Sequence, residues 1–156
     1  MCIRDRARLY DAALKERGNG FFSIYVPGVG TPFADVGDTN QDGDTLGGGA
    51  ARYGADRIHW AILQVINSVH QYLNGGDLIQ PNEAKVLVAS MSETRLLEGM
   101  TRRAMLTAIA QRLERVVKGH QRRVKSVHVS VFGFSRGAAQ ARAFVHRLYA
   151  VSYTHL

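Results

Sequence analysis

Apolar positions along the chain follow two different periods. Ile58, Ala61, Ile62, Val65, Ile66, Val69 and Leu73 recur at i, i+3, i+4, i+7, the spacing of one buried helix face. Asn74-Gly75-Gly76-Asp77 ends that run. Residues 93–118 repeat the pattern with Leu96, Leu97, Met100, Ala104, Met105, Ala108, Ile109, Leu113, Val116 and Val117, and Gly119 closes it. Shorter helices are predicted over 7–15 and 136–148. Residues 82–91 fit either helix or strand, with Pro81 at the first position favouring helix.

The second period is two. Phe21-Phe22-Ser23-Ile24-Tyr25-Val26 is aromatic and β-branched and reads as a strand, ended by the turn residues Pro27-Gly28-Val29-Gly30-Thr31-Pro32. In 125–132, Val127, Val129 and Val131 alternate with His128 and Ser130, a second strand pattern. Between the first strand and the long helix, residues 33–50 are rich in Asp and Gly and read as a long loop of the kind that is functional or unstructured. The order strand, helices, strand, helix predicts an α/β class: part of a parallel sheet with a long helical crossover.

The two ends are set apart. Residues 1–6 and 151–156 back-translate to the two orientations of one sequencing-adapter string. They are therefore expected to be extraneous, leaving residues 7–150 as a fragment of one domain. Cys2, the single cysteine, and His155 fall in those ends and drop out as candidates for chemistry. At 46% hydrophobic and 21% charged, the composition is that of an ordinary globular chain. Twenty basic against 13 acidic residues leave a net charge of +7, which favours acidic partners. The clusters Arg102-Arg103 and Arg122-Arg123-Val124-Lys125 are short, however, and read as solvated faces. No apolar run reaches the ~18 residues a membrane span requires.

The motif that carries chemistry is Gly133-Phe134-Ser135-Arg136-Gly137. It follows a β-branched strand pattern and opens a helix, the context of a nucleophile elbow. Serine needs a base to take its proton and donors to stabilise the oxyanion. A sharp turn into a helix exposes the hydroxyl of Ser135 and brings the backbone N–H of Arg136 beside it as an oxyanion donor, with the positive end of the helix dipole behind. The turn also forces small residues at 133 and 137, and both are glycine.

Other patterns are weaker. Asp38-Thr39-Asn40-Gln41-Asp42-Gly43 matches the first half of a calcium loop, but Gly49 stands where its final glutamate should be. Gly28-Val29-Gly30 and Gly47-Gly48-Gly49 lack the spacing of a phosphate loop. His59, His70, His120 and His128 lack metal-ligand spacing. No cofactor or metal is expected, and no nucleic acid.

Val131-Phe132-Gly133-Phe134-Ser135-Arg136-Gly137-Ala138-Ala139, with Ala141-Arg142-Ala143-Phe144 after it, resembles the elbow of bacterial type VI secretion lipase effectors, within a broader α/β-hydrolase family. Ala7-Arg8-Leu9-Tyr10, Tyr25-Val26-Pro27-Gly28-Val29-Gly30-Thr31 and Gly47-Gly48-Gly49 leading to Arg52 and Ile58 resemble further segments of that family in the same order. The resemblance implies an α/β-hydrolase fold and phospholipid or related ester hydrolysis through an acyl-serine. It also implies delivery from the producer's cytoplasm into target cells, with an immunity or secretion-apparatus partner and peripheral membrane contact. It places Gly28, Val29, Gly30 and Thr31 in an active-site loop. The family's upstream Asp-Gly-Thr motif and its downstream Asp and His have no counterpart here.

Within residues 136–150 there is no acidic residue and one histidine, His146. Eleven residues along a helix place it roughly 16 Å from Ser135, beyond the reach of a base. The chain as it stands is expected to be inactive alone. Two other functions fit the same sequence: an esterase for non-lipid substrates, and a non-catalytic module that binds anionic surfaces.

Overall fold

The computed structural model describes residues 3–39, 49–92 and 98–155. Among the described residues, five α-helices carry the architecture: α1 (Ile3–Ala12), α2 (Gly49–Asn74), α3 (Pro81–Ser92), α4 (Glu98–Gly119) and α5 (Arg136–His155). The central element is α2, which packs against α3, α4 and α5. Its periodic face is buried as the spacing predicts, with Ile58, Ala61, Ile62, Ile66 and Leu73 in the core. Leu63 and His59 are buried as well, because a helix with neighbours on three sides hides more than one stripe.

At its C-terminus α2 stops where Gly75 turns left-handed, at φ 78°. The N–H of Gly75 donates to the Gln71 carbonyl at 2.8 Å, satisfying an otherwise orphaned acceptor. Asn67 then holds the connection to α3. Its side-chain N–H donates to the Ile79 carbonyl and its side-chain oxygen accepts from the Ile79 N–H, both at 2.9 Å. This reciprocal pair seats Ile79, which is wholly buried, against α2. The ambiguous stretch 82–91 is helical, with Pro81 at its first position. Ala84, Val88 and Met91 of α3 meet Leu106, Ile109 and Leu113 of α4 and Phe144 of α5 in one core. The expected helix start at 93–97 lies outside the described residues, as do positions 40–48 of the expected loop. The part of that loop that is described is not a surface excursion: Phe33, Val36 and Asp38 are buried, and Phe33 meets the Trp60 ring edge-on at 4.9 Å.

The α/β class, and with it the parallel sheet and α/β-hydrolase fold expected above, is not what forms. Among the described residues there is no strand; the single bridge is Phe33 to Asp38. Residues 21–26 and 125–132, expected as strands, carry no regular secondary structure and do not pair. Alternation and β-branching set backbone extension and side-chain facing; a sheet also needs a neighbour in hydrogen-bonding register. Neither segment offers that to the other. In consequence Val127, Val129 and Phe132 are exposed instead of covered.

His59 shows what the packing does to a titratable group. It is 1% exposed on α2, and its Nε2 lies 3.0 Å from Arg147 Nη1 of α5. A guanidinium can only donate, so Nε2 accepts and Nδ1 carries the proton, where it has no hydrogen-bond partner among the described residues. Burial first, then the charges of Arg147 and Arg102, push the pKa of His59 from 6.5 to about 3. The unfolded chain therefore takes up a proton that the folded chain refuses across that window. Stability present above pH 6.5 is lost as the pH falls toward 3, at about 1.4 kcal/mol per pH unit. Urea unfolding from neutral to acid pH is expected to show this slope, and His59→Gln, which keeps an acceptor for Arg147, is expected to flatten it by about that amount. An unchanged slope in the variant would place the acid sensitivity elsewhere.

Candidate active site

The irregular segment through residue 134 turns abruptly into α5, and Ser135 is the pivot. Its φ is 55°, the one left-handed value at a non-glycine position among the described residues. Such a residue carries strain of about 1 kcal/mol or more. Two hydrogen bonds hold the turn: Gly137 N–H donates to the Phe134 carbonyl and Ala138 N–H to the Ser135 carbonyl, each at 2.9 Å. The incoming chain passes so close to the helix start that a Cβ on Gly133 would sit 2.3 Å from the Gly137 carbonyl oxygen and 2.9 Å from the Ala138 nitrogen. Glycine at 133 is therefore required sterically. Ser135 and Arg136 are exposed, and Gly137 is half-buried at the base of the helix.

Strain at a polar, exposed residue can be tested through stability. Ser135→Gly relieves the left-handed penalty, partly offset by glycine's greater chain entropy. Its urea midpoint is expected to equal or exceed that of the parent. Ser135→Val is expected to lose about 1–2 kcal/mol, because a β-branched residue tolerates this conformation least. Equal stabilities across the series would remove the strain from the account.

The Gly28–Thr31 loop lies beside the Ser135 turn, in contact with Arg136. Gly28–Thr31 forms a β-turn in which Thr31 N–H donates to the Gly28 carbonyl at 3.0 Å. Gly30 takes φ 88° while Val29 keeps a negative φ, which is the type II form. Arg136 Nη2 donates to the Val29 carbonyl at 3.2 Å, tying the turn to the elbow across 107 residues of sequence. On α5 and α2, Gln140 and Gly54 bring the two helix starts together at the same place, Gln140 Nε2 lying 3.5 Å from the Gly54 carbonyl oxygen.

Beneath the turn lies Arg57, which sequence reasoning did not single out. It is 1% exposed. Its Nε donates to the Pro27 carbonyl at 2.9 Å, Nη1 to the Tyr53 carbonyl at 3.3 Å, and Nη2 to the Thr31 carbonyl at 2.5 Å and to Asp38 Oδ2 at 2.8 Å. One buried guanidinium thus clasps both ends of the Pro27–Thr31 loop, and Asp38 neutralises it. The sequence signal was an arginine at a position on the buried face of α2, one residue before Ile58. Asp38 is accordingly an ion-pair partner. Asn40 to Gly43 of the calcium-like motif, and Gly47-Gly48, lie outside the described residues; among those described no group of three His, Cys, Asp or Glu side chains could hold a metal.

No described side chain hydrogen-bonds the Ser135 hydroxyl. His70 is engaged with the Gly76 carbonyl at 2.7 Å, and His128 with Ser126 Oγ at 3.2 Å. His146 lies on the same helix as the serine. The described residues thus bring together Ser135, the Arg136 amide and a braced loop, with no histidine or carboxylate on the serine hydroxyl among them.

No protein-family profile matches the chain, and no curated protein matches it. A solved structure of an uncharacterized protein from Pseudomonas aeruginosa is similar, with a TM-score of 0.80 and 29% identity over 93% of this chain. The chain spans 22% of that protein's length. No helix among the described residues is long and apolar enough to cross a membrane.

Proposed function

We propose that Ser135 is the nucleophile of a serine ester hydrolase acting on phospholipid carboxylic esters. The observation that carries the reading is the left-handed Ser135, exposed at a turn into a helix that Gly133 alone can fit. In the reaction, Ser135 Oγ loses its proton to a base and bonds the ester carbonyl carbon. The Arg136 N–H, at the positive end of α5, donates to the oxyanion. The carbonyl re-forms, the ester C–O bond breaks, and the alcohol leaves with the proton. Water then releases the acyl group by the same steps. The base and its orienting acid come, in this proposal, from polypeptide beyond these residues. The lipid substrate class and delivery by a type VI system rest on the resemblance around the elbow.

A protein carrying this segment with its flanking polypeptide is expected to release fatty acid from phosphatidylethanolamine–phosphatidylglycerol vesicles. Ser135→Ala should lower that rate roughly 10³-fold or more. Turnover of short soluble esters with none of vesicle lipid would move the assignment to a non-lipid esterase. Lipolysis retained in Ser135→Ala would overturn the nucleophile.

A further inference from the structure

At the Val29–Gly30 peptide the loop meets the elbow through the Arg136 side chain. In a type II turn the central peptide has one orientation; rotating it by half a turn gives type I, with φ of the third residue negative. Gly30 is the residue that permits either, since glycine populates both signs of φ. The two forms point the Val29 carbonyl and the Gly30 N–H in opposite directions, because the two groups lie anti to each other across the same planar peptide. Arg136 Nη2, 3.2 Å from the Val29 oxygen, discriminates between them. It accommodates only the carbonyl, since a guanidinium has no acceptor to offer an N–H. The loop's flanks cannot make this choice. Arg57 fixes the Pro27 and Thr31 carbonyls, which are outside the central peptide.

We infer that the Arg136 side chain is a positioning residue that locks the Val29–Gly30 peptide in its type II orientation, so that the Gly30 N–H faces away from the guanidinium. This rests on the reading of Ser135 as nucleophile only for its consequence: residue 136 serves the site twice, with its amide at the oxyanion and with its guanidinium on the adjoining loop. Space is not the constraint at Gly30, because a Cβ there would meet Arg136 Nη2 at an ordinary 3.7 Å. The constraint is the sign of φ.

The test has two arms. In the 156-residue chain, NMR of Val29, Gly30 and Thr31 is expected to show one conformer. Arg136→Leu should give doubled or shifted resonances at these three residues while those of the α2–α4 core stay in place. Arg136→Lys, which keeps a donor, should restore the single set. Gly30→Ala, which disfavours positive φ, should perturb Val29 and Thr31 in the same sense as Arg136→Leu. In the protein with its flanking polypeptide, Arg136→Leu should slow fluorophosphonate labelling of Ser135 by roughly 10- to 100-fold, with recovery in Arg136→Lys. Loop resonances unchanged in Arg136→Leu would overturn the lock, as would equal effects of Leu and Lys. Absence of labelling in the parent protein would count against the hydrolase reading, and the NMR arm would still decide the lock.

Discussion

Arg57→Leu is expected to lower the unfolding free energy by about 3–5 kcal/mol, the range for removing one partner of a buried ion pair. The cost has two sources. Asp38 would keep its carboxylate 5% exposed and lose the guanidinium that faces it at 2.8 Å. The carbonyls of Pro27 and Thr31 would lose this donor at the same time, while that of Tyr53 keeps its place in the helix ladder. Each buried acceptor left unsatisfied costs about 1–3 kcal/mol. Urea unfolding should show the loss as a lower midpoint. The double variant with Asp38→Leu should recover part of it, because replacing both charges by apolar groups removes the stranded carboxylate. It should not recover all of it, since the loop carbonyls remain unserved. A single variant within about 1 kcal/mol of the parent would show that water replaces the guanidinium freely.

Gly133→Ala is the second large effect. The added methyl would sit 2.3 Å from the Gly137 oxygen and 2.7 Å from the Gly137 carbonyl carbon, both backbone atoms at the start of α5. No side chain can swing away to relieve it. The elbow must open, which breaks the bonds that hold Ser135 left-handed. A destabilisation of about 3 kcal/mol is expected, at the upper end for overpacking. Gly18→Ala is the control, since a Cβ there meets nothing within 4 Å. It should cost little. Comparable losses for the two variants would mean that the tight passage at residue 133 is not what shapes the turn.

The helices were legible because their apolar spacing is long and regular, as Ile58 to Leu73 shows. The elbow was legible because its geometry dictates residue types: glycine where two backbones touch, at 133, and a helix directly after the serine. The Gly28–Thr31 turn lies beside it, with Gly30 at positive φ and Arg136 on the Val29 carbonyl. What failed was the inference from strand pattern to sheet. Val127 and Val129 are exposed and form no strand, and no alternation in a sequence specifies the partner that would pair with it. Two buried polar groups were also missed. Arg57 and His59 lie beside the apolar stripe of α2, and nothing in single-sequence periodicity distinguishes an arginine that holds a distant loop from one on a wet face. Residues 33–39 were read as a loop from their Asp and Gly content, yet Phe33 and Val36 are core, because two well-placed apolar side chains outweigh composition.

The central claim is that Ser135 is a reactive nucleophile. The measurement that addresses it most directly is peptide mapping by mass spectrometry after fluorophosphonate treatment of a protein containing this segment with its flanking polypeptide. A single phosphonyl adduct on the peptide carrying Ser135, abolished in Ser135→Ala, is the expected result. Complete absence of an adduct at Ser135, in a protein shown by its cooperative unfolding to be folded, would contradict the account.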